Sequence, residues 1–93
     1  MSIEKAIQEG GALVDVRTSM EFQSGSVAGA INIPLNEVPH RLEELKEMKQ
    51  PLVLFCRSGA RSEQARAYLS AQGLDCYNGG SWTNVNHMIS NLN

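Results

Sequence analysis

"PLVLFCRSGARSEQARAYL", residues 51–69, decides the fold. Residues 51–55, PLVLF, form the most continuous apolar run in the chain, the pattern of a central strand buried on both faces. The run ends at Cys56, and a helical pattern follows over 61–72, with Ala65, Tyr68 and Leu69 on one face. Gly73 suits the left-handed position after a helix, and Leu74 can fold back onto the last turn.

Working outward, the same alternation recurs. Residues 2–9 read as a short helix capped by Ser2, with Ile3, Ala6 and Ile7 on one face. Residues 12–16, ALVDV, read as a buried strand, and 18–24 as a helical turn with Met20 and Phe22 inward. Residues 30–33, AINI, give a second strand that stops at Pro34. Residues 36–48 read as a helix capped by Asn36, with Pro39 in its first turn and an apolar stripe of Val38, Leu42, Leu45 and Met48. Residues 75–77, DCY, give a fourth strand, Gly79-Gly80 a turn, and Ser81 caps a last helix with Trp82, Val85, Met88 and Ile89 inward. Short apolar runs alternating with helices predict an α/β fold, a central parallel sheet with helices on both faces. Functional loops in such sheets gather at the carboxyl ends of the strands, where Cys56 stands.

Composition narrows the function. The 93 residues, 42% hydrophobic and 19% charged, suit a single domain over 1–93. The net charge is −2, without a block of like charges, which argues against a nucleic-acid or anionic-membrane partner. No run approaches a membrane span, and MSIEKAIQEGG has no apolar stretch of the signal-peptide kind, so a cytoplasmic monomer is expected. The cysteines, Cys56 and Cys76, are too few for a zinc site, and no His stands at ligand spacing from either. No metal or cofactor is called for. One working thiol in a reducing compartment fits better than a disulfide.

The loop after the strand supplies that thiol. If residues 57–61 curl round the sulfur, several backbone N–H groups point at one spot, and Gly59 relaxes the curl. The helix dipole and the charges of Arg57 and Arg61 add to the positive field, so a depressed Cys56 pKa is expected without a general base. A cysteine at a strand end is by itself usually a small core residue. Here strand, Cys, Gly, two Arg and helix coincide, which points to a nucleophile. The four residues between Cys56 and Arg61 enclose a tight ring of amides. A spacing one residue longer is the phosphatase pattern, and phosphoryl transfer also wants an Asp acid on a nearby loop. Asp15 and Asp75 lie at strand positions unsuited to that role. The tight ring suits one added sulfur atom.

At this point the sequence resembles the rhodanese family, the single-domain sulfurtransferases. "DVRTSMEF" (15–22) looks like the family's early Asp-Val-Arg…Glu-Phe signature, and "GSVAGAINIPL" (25–35) its Gly-His-Ile-x-Gly-Ala-x-Asn-Ile-Pro motif. "LFCRSGARS" (54–62) is similar to the active-site strand and loop, and "YNGGSW" (77–82) to the Gly-Gly-x-x-Trp region. The chain has Ser26 and Ala28 where the family often has His and Pro. The resemblance implies a thiosulfate sulfurtransferase. Cys56 would attack a small anionic sulfur donor, hold a persulfide among the amides of Arg57, Ser58, Gly59, Ala60 and Arg61, and pass the sulfur to cyanide, a thiol or a carrier protein. Arg57 would recognise the donor, and Arg61 would close the loop and stabilise charge. A sulfur-relay carrier and a non-enzymatic binding module are the alternatives, the second disfavoured by the cysteine.

Elsewhere simpler roles are expected. Arg17 and Glu21, four apart, are placed to pair across a turn. Cys76 is expected to be buried, Trp82 to pack, and His40 and His87 to take no part.

Overall fold

The computed structural model describes residues 2–92. Four strands, β1 (Leu13–Asp15), β2 (Ile31–Asn32), β3 (Leu52–Cys56) and β4 (Cys76–Ser81), form one parallel sheet in the order β2-β1-β3-β4. Five α-helices alternate with them: α1 (Ile3–Gln8), α2 (Ser19–Gln23), α3 (Leu42–Glu47), α4 (Ala60–Ala71) and α5 (Trp82–Leu92). The α/β class and the parallel sheet are those expected.

β3 is buried along its whole length, and its alternate residues serve two cores. Leu52, Leu54 and Cys56 join Leu45, Ala65 and Leu69, beneath α3 and α4. Val53 and Phe55 join Ala6 and Val85, beneath α1 and α5. An apolar residue at every β3 position is therefore what helices on both faces require. After α4, the Leu74 amide donates back to the Leu69 carbonyl (3.0 Å), and Leu74 closes over the first core.

Four local expectations are corrected. The stretch expected as one helix over 36–48 is a 3-10 segment, Leu35–Arg41, followed by α3. Pro39 lies inside the 3-10 segment and has no N–H to give an α-helical bond, and Asn36 is not its cap. Met20 is 76% exposed rather than inward, while Phe22 is half-buried. Gly79-Gly80 is not a turn but part of β4, whose ladder with β3 continues across a bulge: Leu54 pairs with Asn78 and Cys56 with Ser81. A Cβ on Gly79 would meet Val85 Cγ2 at 2.6 Å, so only glycine lets the bulge lie against α5.

The fourth correction concerns charge pairing. Arg17 does not pair with Glu21. It turns back onto Asp15, with Nη2 donating to Oδ2 at 2.7 Å, and both residues are buried. Asp15 also accepts from the Arg17 amide (2.9 Å) and from the Ser26 hydroxyl (2.7 Å). Arg17 Nη2 donates to the Gly25 carbonyl, and the guanidinium lies 5.2 Å from the centre of the Trp82 ring. Ser26, one of the departures from the family pattern, thus anchors its turn through Asp15.

Candidate active site

The strand order makes a crevice. From β1 the chain moves outward to β2, then returns to place β3 on the other side of β1. The segments after β1 and β3 diverge at this switch point, where ligands bind in sheets of this kind. Cys56 ends β3 there, with its residue only 1% exposed. A cavity of about 300 Å³ is lined by Val16, Thr18, Pro34, Leu35, Asn36 and, from the loop that follows Cys56, Arg61.

The loop folds as its sequence dictates. Gly59 takes φ 103°, a conformation that suits glycine, and serves as the N-cap of α4. Its amide donates to Cys56 Sγ at 3.0 Å. One turn on, the buried Ser62 hydroxyl lies 3.4 Å from the same sulfur. Burial pushes the Cys56 thiol up, but the Ser62 hydroxyl and the amides of Ser62, Ser58 and Gly59 outweigh it, so the pKa is lowered to about 7.

The remaining loop residues are placed differently from one another. Arg57 and Ser58 are exposed, and Arg57 makes no ion pair or hydrogen bond among the described residues. Ala60 is exposed at the first position of α4. Arg61 is turned onto α2, its Nη1 and Nη2 donating to the two Glu21 carboxylate oxygens at 2.7 and 3.0 Å. Its charge still feels the Cys56 sulfur, yet hydrogen bonds rather than arginines lead in lowering the thiol. The Arg61 guanidinium and the Thr18 amide beside Glu21 hold that carboxyl down at about 2.

Sequence reasoning left out three contributors. Ser62 stood in the quoted loop motif but was given no role, although it sits one helical turn beyond Ser58 on the side of the sulfur. Asn78 stood in the quoted YNGGSW stretch but was given no role, because Gly59 and Ser62 reach it from the loop after another strand: Nδ2 donates to the Gly59 carbonyl (3.0 Å), and Oδ1 accepts from Ser62 (2.7 Å) as well as from the nearby Gly80 amide (2.9 Å). Glu21 was read as a partner of Arg17. Its true partner is forty positions along the chain, a pairing that no local pattern reports. Cys76, by contrast, is buried as expected. Burial raises its pKa, and Sγ lies 3.5 Å from Ser70 Oγ.

Comparison with known proteins agrees with this geometry. The family model described as "Rhodanese-like domain" matches residues 2–87. A sulfurtransferase of Allochromatium vinosum is 44% identical over 61 residues, covering 66% of this chain and 56% of that protein. The thiosulfate sulfurtransferase PspE of Escherichia coli is 41% identical, over 64% of this chain and 59% of its own length. A putative sulfur carrier protein, YrkF of Bacillus subtilis, is 38% identical over 66% of this chain but only 32% of its own. The chain therefore spans well under two thirds of the length of these relatives. Among solved structures, a rhodanese with anions from E. coli superposes with a TM-score of 0.71 at 33% identity, covering 78% of this chain and 88% of that one. A strand-end thiol in an amide loop, on a four-stranded parallel sheet matched from residue 2 to residue 87, makes this chain a member of the rhodanese-like domain family.

Proposed function

We propose that the protein is a sulfurtransferase that carries sulfane sulfur on Cys56, taking it from thiosulfate or a similar anionic donor. The supporting observation is the sulfur itself. It ends a buried strand with an amide at 3.0 Å, and a pKa of about 7 keeps much of it as thiolate near neutral pH. The thiolate attacks the outer sulfur of thiosulfate. A sulfur–sulfur bond to Cys56 forms, the bond to the sulfonate breaks, and sulfite leaves with the electron pair. An acceptor thiolate or cyanide then attacks the terminal sulfur and releases the Cys56 thiolate. The amides of Ser58 and Gly59 and the dipole of α4 hold the negative charge on the persulfide between the steps. Arg57, exposed beside the loop, meets the anionic donor.

Intact-mass measurement after incubation with thiosulfate tests this reading. One added sulfur, about 32 Da on a single activated thiol, is expected, removed by cyanide and absent in Cys56→Ser. No adduct would overturn the proposal. A second reading, a relay carrier fed by a partner protein, draws on the relative named as a putative sulfur carrier. It also draws on the pairing of Arg61 with Glu21, which leaves Arg57 as the free cation of the loop among the described residues. An adduct that forms but turns over very slowly with small acceptors would favour the relay.

A further inference from the structure

The Ser62 hydroxyl has one proton and two acceptors within reach. Asn78 Oδ1 lies at 2.7 Å and Cys56 Sγ at 3.4 Å. A single O–H cannot donate to both at once. The shorter contact is the one to Asn78, so with Cys56 protonated the hydroxyl points away from the sulfur, toward β4.

Asn78 can release that proton at little cost. Its Oδ1 also accepts from the Gly80 amide at 2.9 Å, so it keeps a partner when the hydroxyl turns. Its Nδ2 donates to the Gly59 carbonyl at 3.0 Å, which fixes the carboxamide in one orientation and presents Oδ1 to Ser62. The Gly59 amide is meanwhile aimed at the sulfur. One side chain of β4 thus touches the Ser62 hydroxyl and the carbonyl of Gly59, the residue whose amide is aimed at Sγ.

We propose that Asn78 is a positioning residue that sets the ionisation of Cys56 by competing with the sulfur for the Ser62 hydroxyl proton. When the thiol loses its proton to solvent, the hydroxyl rotates from Asn78 Oδ1 to the thiolate. No covalent bond changes. When the charge moves out to the terminal sulfur of a persulfide, the hydroxyl returns to Asn78. This role rests on Cys56 being the reactive thiol, but it concerns acidity and does not require a sulfur donor.

Charged groups surround the trio on several elements, and each is already engaged or distant in role. Asp15 pairs with Arg17 after β1, and Glu21 of α2 pairs with Arg61 of α4. Glu63 of α4 pairs with Arg66 and stands 3.4 Å from Asn78 Nδ2, while Arg57 is exposed on the loop. Neither Ser62 nor Asn78 carries a charge, so changing them to uncharged residues alters the hydroxyl's choice and removes no member of these ion pairs.

The experiment is a double-mutant cycle read by the pH dependence of Cys56 alkylation with iodoacetamide. Ser62→Ala is expected to raise the midpoint by about one unit, the size of one lost hydrogen bond to the charged form. Asn78→Ala is expected to move the midpoint lower with Ser62 present than in the Ser62→Ala background, by about half a unit or more. Equal shifts in the two backgrounds would overturn the proposal, since they would mean that Asn78 acts only through the Gly59 carbonyl. Should Asn78→Ala fail to fold, Asn78→Ser replaces it. The shorter side chain withdraws the Oδ1 acceptor without adding a charge and is expected to lower the midpoint more with Ser62 present than without. Equal shifts would again be fatal. Because alkylation needs no thiosulfate, a failed persulfide assay and a failed cycle are separate results.

Discussion

Cys56 and Cys76 are both buried free thiols at strand ends of the same sheet, yet their chemistry differs. Around Cys56, two kinds of hydrogen-bond donor outweigh burial and bring the thiol down to about 7. Around Cys76, burial dominates and the thiol is pushed up. Location at a strand end does not lower a thiol's pKa, whereas donors aimed at the sulfur do. The arginines differ in the same way. Arg61 is held by Glu21, while Arg57 is exposed, and the proposed function assigns small-anion recognition to Arg57. Losing a charge-assisted contact of about 1.5 kcal/mol with Arg57→Ala should raise the thiosulfate KM roughly tenfold and leave kcat nearly unchanged. Steady-state kinetics checks this, and a fall in kcat at constant KM would instead place Arg57 on the departing sulfite.

At the scale of elements, α2 and α4 are joined by the Glu21–Arg61 pair, and Glu21 also completes a capping box with Thr18. Because the folded Glu21 carboxyl is depressed to about 2 from an ordinary 4.5, its stabilisation is full above about pH 4.5. It is lost as pH falls through about 2. Glu21→Gln should therefore lower the urea midpoint at pH 7, with the gap to the parent closing toward pH 2. A gap that stays constant down to that pH would show that the charge is not what binds α2 to the loop. The elements also show how far the sequence could be read. β3 was legible because a continuous apolar run is a local record of burial, and α4 because Ala65 and Leu69 fall on one buried face. The 3-10 segment was hidden because Val38, Leu42 and Leu45 fall at α-helical spacings although the change of helix comes between the first two, and only Pro39 hinted at it. The β4 extension was hidden because Gly-Gly ordinarily signals a turn. Its role as a bulge depends on Val85, which arrives from α5.

Across the whole molecule, one buried ion pair ties the sheet to the turn before β2 and to α5. Asp15 is fully buried and takes bonds from Arg17 and Ser26, while Arg17 reaches Gly25 and the Trp82 ring. Arg17→Met would leave the Asp15 carboxylate buried with only its amide and hydroxyl donors, at a cost of about 3 kcal/mol by the usual penalty for breaking such a pair. Equilibrium urea unfolding should show that loss, and a change below about 1 kcal/mol would mean that the carboxylate finds water instead. The loop after β3 was legible because it is contiguous, yet of the ring expected over 57–61 the amides that lower the Cys56 thiol are those of Ser58 and Gly59, joined by Ser62 just beyond it. Asn78 and Glu21 were not legible, because they reach the loop only through the fold. The two cores beneath β3 carry one more consequence. Cys56 faces Ser62 because it falls in the same row as Leu52 and Leu54, while Val53 and Phe55 face the other way. Reactivity here is a matter of odd and even. Gaining or losing one residue within β3 would turn the sulfur toward the side of Ala6 and Val85, away from every donor that ionises it. The sheet could remain apolar on both sides, so the lesion would silence the thiol while leaving the hydrophobic pattern readable. A change of two residues would restore the side, so length variation in this strand is tolerable only in pairs.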